Sequence, residues 1–84
     1  MRIDLFLHRI RLARSRTLAQ VLIEQGTARI DGRRVGKPSD PVHIGSVITL
    51  AQRGQVRVIR VLSLPPRRGP PAAARAAYED VDGG

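Results

Sequence analysis

The segment SRTLAQVLIEQGTARIDG, residues 15–32, constrains the fold most, because a helix, a strand and a tight turn must all fit inside it. Ser15 is a favourable helix N-cap, and Gly26 is the first residue that breaks the pattern after it. Between them the apolar residues recur at helical spacing, at Leu18, Leu22 and Ile23. We therefore predict a helix that begins after Ser15 and stops at Gly26.

A β-hairpin follows this helix. Residues 28–30 form its first strand, and Asp31-Gly32 is a preferred dipeptide of the two-residue type I′ turn, in which both central residues have positive φ. The return strand is expected at residues 33–35. A basic helix joined directly to a basic hairpin predicts a compact surface suited to folded RNA.

The other predicted elements are short. Asp4 is expected to cap a first helix of about two turns, whose inward residues are Leu5, Phe6 and Ile10. Prolines in the segment 37–41 predict a surface loop. Strands are expected at residues 47–50 and 56–64, with a turn at Arg53-Gly54 between them and Pro65-Pro66 ending the sheet.

The last part of the chain is rich in proline and alanine. Pro70-Pro71 can start a helix, and the run AAARAAY has high helix propensity, but so short a helix is marginal unless it docks. A frayed tail and a docked helix both stay open, and packing of Tyr78 on the sheet is favoured over base stacking. We predict one α+β domain at residues 1–64, with two short helices on a small, twisted, mostly antiparallel sheet, and a tail at residues 65–84.

Composition limits the functions available to a chain of 84 residues. A chain this short has a small core, so no deep catalytic cleft is expected. With no cysteine there is no disulfide and no thiolate metal site. The longest apolar stretches are too short for a membrane span, and the charged N-terminus does not resemble a signal peptide, so we expect a cytoplasmic protein.

The net charge of +8 is concentrated in one part of the chain. Residues 1–64 carry the whole excess, whereas the acids and bases of residues 65–84 balance. All but one of the cations are arginine, whose planar donor fork suits phosphate and guanine edges. The folded part is therefore expected to bind nucleic acid, although charge alone also permits nonspecific DNA binding.

The chain has two histidines that could serve as a catalytic acid and base. His8 is predicted on the first helix and His43 after the proline loop, and nothing in the sequence brings them together. The acids and histidines also lack metal-ligand spacing. We expect no catalytic residue, no metal, no cofactor and no small-molecule substrate.

Five landmarks, in this order, resemble the RNA-binding domain named after ribosomal protein S4, also called the alpha-L motif. They are Arg2-Ile3-Asp4, Arg14-Ser15-Arg16, the helix end at Gly26, the hairpin at residues 28–32 and Lys37-Pro38-Ser39. In the tail, Arg67-Arg68-Gly69-Pro70 and Tyr78-Glu79 resemble the heat-shock protein fifteen family and its short paralogues in ribosome quality control. Two residues depart from the pattern: His8 replaces a frequent tryptophan, and Asp31 replaces the usual asparagine.

The resemblance implies binding to ribosomal RNA of the large subunit, carrying peptidyl-tRNA after failed translation, and possible contact with tRNA. Alternatives are a ribosome-assembly or protein-interaction role through the sheet and tail, or general nucleic-acid binding. Arg57 and Arg60 are interpreted as solubilising charges, and within the hairpin Arg29 and Arg33 are chosen over Arg34. The candidate RNA-binding residues are Arg2, Arg11, Arg14, Ser15, Arg16, Gln20, Arg29, Arg33 and Lys37.

Overall fold

The computed structural model describes residues 1–52 and 54–81. Five antiparallel strands form one sheet in the order β2-β1-β3-β4-β5, which is accompanied by three helices in the described residues. The elements are α1 (Ile3–Arg9), α2 (Arg16–Glu24), β1 (Ala28–Ile30), β2 (Arg33–Arg34), β3 (Val47–Gln52), β4 (Gln55–Val61), α3 (Pro71–Arg75) and β5 (Tyr78–Asp80). The predicted α+β architecture is confirmed.

The core lies between α1, α2 and one face of the sheet. Ile48 of β3 pairs with Ile59 of β4, and both side chains are fully buried on the helix side. From the helices, Phe6 and Ile23 pack into the same cluster. Alternate residues of the same strands lie on the opposite face, where Val56 is 63% exposed. One sheet face is therefore covered and the other faces outward.

Helix α1 does not begin as predicted. Its N-cap is Arg2, which makes no side-chain capping bond, and Asp4 lies inside the first turn with 0% exposure. The interpretation of Asp4 as a cap is wrong, because its carboxylate turns inward toward other donors. The backbone of the α1 start is held by the proline loop, since the Ile3 and Asp4 amides donate to the carbonyls of Asp40 and Pro38 at 2.8 and 3.2 Å.

Helix α2 and the hairpin follow the sequence closely. The Ser15 hydroxyl accepts the Leu18 amide at 3.1 Å, as an N-cap does. Gly26 ends the helix with φ +77°, and Asp31 and Gly32 both have the positive φ that a type I′ turn requires. Asp31 also accepts the Val47 amide at 2.9 Å, so its carboxylate fastens the turn to β3.

The chain beyond the predicted sheet end packs back onto the domain. Strand β4 ends at Val61, before the predicted limit, and β5 adds a fifth strand that the sequence analysis did not predict. Ala74 and Ala77 are buried, and the Arg57 guanidinium lies 5.4 Å from the centre of the Tyr78 ring. The docked helix and the packing of Tyr78 on the sheet are thus confirmed, and the frayed tail is wrong for residues 71–80.

Two predicted features include residues that the structure does not describe. Of the predicted turn at Arg53-Gly54, Arg53 lies outside the described residues, and Gly54 has φ +75°. The predicted tail extends to residue 84, and residues 82–84 also lie outside them. The division of the chain at residue 64 stays a prediction. Among the helices described, none is long and apolar enough to cross a membrane.

Candidate nucleic-acid interface

Three of the predicted site residues meet at one buried carboxylate. Arg2 donates to Asp4 through Nε and Nη2, both at 3.1 Å, and Arg16 donates through Nε at 3.3 Å. Gln20, one turn further along α2, donates its Nε2 to the same carboxylate at 3.0 Å. The fifth donor is the Leu5 amide at 2.7 Å. This group, Arg2, Asp4, Arg16 and Gln20, is called the Asp4 cluster below.

The electrostatics of the Asp4 cluster favour an ionised carboxylate. Burial raises the pKa of Asp4, but hydrogen bonds from Gln20, Arg2, Arg16 and the Leu5 amide outweigh burial, so that the pKa lies below its ordinary value. Two guanidinium groups share this single negative charge, which leaves the cluster positive. Both arginine side chains are 44% exposed, so the excess charge is presented to solvent.

The bend between α1 and α2 carries the next group of candidates. Arg14 is exposed, and in residues 1–52 and 54–81 its side chain has no hydrogen-bond partner. Arg11 has the left-handed φ of 66°, and its Nη1 donates to the Gly69 carbonyl at 2.9 Å, so this residue is tied to the segment between β4 and β5. Beside the bend, Leu18 and Val21 of α2 are 48% and 43% exposed.

The hairpin arginines divide between the two sheet faces. Arg29 lies directly across from Arg34, and Ile30 across from Arg33. Directly opposed residues in an antiparallel pair share a face, so Arg29 and Arg34 lie together on the outward face, away from the helices. The prediction that Arg29 and Arg33, and not Arg34, would face one partner together is therefore wrong. Arg33 instead lies on the side of Ile30, beside the proline loop.

Lys37 opens the proline loop and is exposed. The Asp40 carboxylate closes this loop by accepting the amides of Gly36 and Lys37 at 2.9 and 3.2 Å. Because the Asp4 amide donates to Pro38, the loop lies against the Asp4 cluster. The structure therefore brings Arg2, Arg16 and Gln20 together, with the loop of Lys37 against the start of α1, while Arg29 lies on the outward sheet face.

Two features of this surface were missed by sequence reasoning. The first is Asp4 as the organiser of the cluster: its only sequence signal was an acid in a basic stretch, which capping explained equally well. The second is Arg34, which shares a face with Arg29 and whose guanidinium would clash with a Cβ at Gly26. Counting residues across the two-residue turn would have paired Arg34 with Arg29.

Arg57 and Arg60 are paired rather than merely solvated. Arg57 contacts Asp80 at 3.2 Å and Arg60 contacts Glu79 at 2.8 Å, both across β4 and β5. Burial lowers the pKa of Arg57, but Asp80 and Tyr78 outweigh this and raise it. Glu79 and Asp80 thus fasten β5 to β4, and they do not neutralise the Asp4 cluster.

The two histidines lie in different surroundings. His8 is in the last turn of α1, and in the described chain its Nδ1 is buried without a hydrogen-bond partner. His43 is exposed beside the hairpin, where its amide donates to the Ser46 hydroxyl at 3.0 Å. Across residues 1–52 and 54–81, no three His, Asp or Glu side chains are grouped to hold a metal ion.

Comparison with known proteins identifies relatives of the whole described fold. Heat shock protein 15 of Escherichia coli K12 is 32% identical over 81 residues, which cover 96% of this chain and 60% of that protein. The trimeric structure of Vibrio cholerae Heat Shock Protein 15 superposes with a TM-score of 0.90 at 29% identity, covering 98% of this chain and 82% of that one. The chain thus spans about 60% of the length of the curated heat shock relatives.

A ribosomal protein is similar over the N-terminal part. Small ribosomal subunit protein uS4 of Listeria monocytogenes serovar 1/2a is 38% identical over 52 residues, covering 62% of this chain and 26% of that protein. The S4 domain family profile matches residues 1–48, which contain α1, α2, the hairpin and the proline loop. The resemblance inferred from the five landmarks is confirmed, and the chain belongs to the S4 domain family.

Proposed function

We propose that this protein binds structured ribosomal RNA without catalysing a reaction. Its partner is the large ribosomal subunit, carrying peptidyl-tRNA, and its role is in ribosome-associated quality control or rescue of stalled translation. The protein acts in the cytoplasm and needs no cofactor, and tRNA on the subunit is a further candidate partner. Membership in the S4 domain family and similarity to Heat Shock Protein 15 and to uS4 support RNA binding related to the ribosome.

The observation that carries the proposal is the positive surface around the start of α2. Arg2 and Arg16 are 44% exposed in a cluster with one carboxylate between them, and Arg14 is exposed beside them. Lys37 lies on the neighbouring loop. Cations fixed at separate points of a rigid surface can contact several phosphates and 2′-hydroxyls together, which favours folded RNA recognised by shape.

The aromatic residues argue against a single-strand binder. Proteins that hold unstructured RNA or DNA stack bases on exposed rings. Phe6 and Tyr78 are the chain's two aromatics: Phe6 is fully buried, and the Tyr78 ring lies under Arg57. Base stacking therefore has no platform here, and backbone contacts to a folded RNA must supply the affinity.

A protein-interaction role through the tail is less well supported. That alternative needs Tyr78 as an exposed anchor, but its hydroxyl accepts Arg57 Nη2 at 3.2 Å and β5 pairs along β4. Glu79 and Asp80 are likewise engaged by arginines of β4. These three tail residues are therefore engaged within the fold.

The test is sedimentation with purified bacterial large ribosomal subunits, comparing the wild type with Arg14→Ala/Arg16→Ala. We expect the double variant to bind more weakly, with a salt dependence lower by about two contacts, because each phosphate-contacting cation adds roughly one to the slope. Arg67→Ala/Arg75→Ala is the matched control, since it removes the same charge from exposed positions between β4 and β5. Crosslinking in cells followed by RNA sequencing should recover large-subunit RNA and tRNA.

Other outcomes would contradict the proposal in distinct ways. Equal loss of binding in both double variants would indicate a general charge effect. Equal affinity for duplex DNA at matched salt would favour a nonspecific nucleic-acid binder. Binding that survives Arg14→Ala/Arg16→Ala but is lost in Arg67→Ala/Arg75→Ala would favour the protein-interaction role.

A further inference from the structure

The Asp4 cluster has a charge arrangement that is unusual for a surface meant to attract phosphate. A carboxylate lies at its centre and is fully buried, with five donors between 2.7 and 3.3 Å. Negative charge near RNA lowers affinity through simple electrostatics. A carboxylate at this position must therefore offset its unfavourable effect on RNA affinity by a favourable effect on folding or on binding.

The hydrogen bonds leave particular arginine donors available. Arg2 uses Nε and Nη2 toward Asp4, so Nη1 has no partner among the described residues. Arg16 uses Nε alone, so neither of its terminal nitrogens has a partner among the described residues. Asp4 thus holds the inner edge of each guanidinium while the outer edge faces solvent.

Such anchoring changes the thermodynamics of binding. A long arginine side chain on an open surface loses rotamer entropy when it contacts a phosphate. Arg2 and Arg16 have already lost part of that freedom, because each is held by a buried acceptor. The planar guanidinium then presents its remaining donors in a fixed direction, which favours contacts to phosphates at set positions.

We propose that Asp4 is a positioning residue that raises RNA affinity by orienting Arg2 and Arg16. The inference rests on the proposed RNA-binding function and extends it to a residue that would not itself touch RNA. Gln20 contributes a third donor to Oδ2, since its Nε2 donates to the same carboxylate oxygen as Arg2 Nη2 and Arg16 Nε.

Replacing two aspartates separately tests the positioning role, because positioning and charge predict opposite changes in RNA affinity for Asp4. Asp4→Asn and Asp31→Asn each remove one negative charge from the same half of the protein, and Asp31 is exposed on the hairpin turn. Charge alone predicts tighter binding to large ribosomal subunits for both variants. Positioning predicts that Asp4→Asn binds about tenfold more weakly, as expected for losing charged hydrogen bonds, while Asp31→Asn does not weaken binding.

A loss of folding could imitate loss of positioning, so the effect is measured again in an Arg2→Ala/Arg16→Ala background. If Asp4 acts through the two arginines, Asp4→Asn costs no further affinity there. The same loss in both backgrounds would overturn the proposal, as would tighter binding by Asp4→Asn alone. Wild-type protein that fails to bind large subunits would instead overturn the proposed function itself.

A charge-preserving pair covers the case in which Asp4→Asn does not fold. Arg16→Lys keeps the charge but loses the fork and the Nε contact to Asp4, whereas Arg14→Lys changes an arginine that Asp4 does not contact. We expect Arg16→Lys to reduce affinity several-fold more than Arg14→Lys, in line with the loss of one charged hydrogen bond. Equal losses in the two lysine variants would overturn the positioning role.

Discussion

Asp4 is the residue at which fold and function are most closely joined. Its carboxylate is completely buried, yet every donor around it belongs to the chain segments that form the candidate surface. Burying a charge without partners is costly, but five hydrogen bonds satisfy this one. The same contacts that make the burial tolerable also join the start of α1 to the first turns of α2.

The lowered pKa of Asp4 predicts a particular loss of stability in acid. Because the folded pKa lies below the unfolded value, the stabilisation is fully present above about pH 4 and is lost as pH falls through the folded pKa. Urea unfolding at pH values from about 7 down to about 2.5 measures how the free energy of unfolding changes with acid. The wild type should lose its advantage over Asp4→Asn as pH falls, and a constant difference would contradict the prediction.

At the scale of elements, the stability of the short helix α2 and of the hairpin depends on contacts at their ends. Helix α2 has nine residues, which is too few for stability alone, and its start relies on the Ser15 cap and its packing on α1. Gly26 then turns the chain into β1 with a backbone angle that other residues adopt with strain. The hairpin in turn is fastened to β3 by Asp31.

Loss of the α2 cap should weaken the protein by a measurable amount. We expect Ser15→Ala to lower the free energy of unfolding by about 1 kcal/mol, because the Leu18 amide loses its acceptor. Thr17→Ala is the control in the same turn; Thr17 is exposed, and its replacement should change stability by less than about 0.5 kcal/mol. Urea denaturation of both variants decides the point, and equal effects would remove the capping role.

At the scale of the whole molecule, the chain after β4 contacts both the sheet and helix α1. Strand β5 extends the sheet, and Arg9 and Arg68 tie the connecting segment to α1 through the carbonyls of Pro65 and His8 at 2.9 and 3.1 Å. Ala77 is 1% exposed, and its carbonyl accepts the Leu62 and Ser63 amides. We therefore expect this segment to unfold together with the domain.

Two adjacent alanines test that cooperativity. Ala77→Asp should lower the free energy of unfolding by about 3 kcal/mol or more, because it buries an unpaired charge. Ala76→Asp, at an exposed neighbouring position, should cost less than about 1 kcal/mol. Similar small losses in both variants, measured by thermal unfolding at neutral pH, would show that the segment is not docked.

The sequence by itself determined the features that depend on near neighbours. The Ser15 cap, the end of α2 at Gly26 and the Asp31-Gly32 turn follow from backbone geometry within a few residues, as does the order of the basic elements. Tertiary structure decided the rest, because its partners are distant in the chain. Asp4 meets Gln20 across two helices, Arg57 meets Asp80 across two strands, and β5 forms only because β4 offers it an edge. Local propensity carries no information about such contacts. For this reason the sequence predicted Asp4 as a helix cap, whereas the structure places it at the centre of the candidate site.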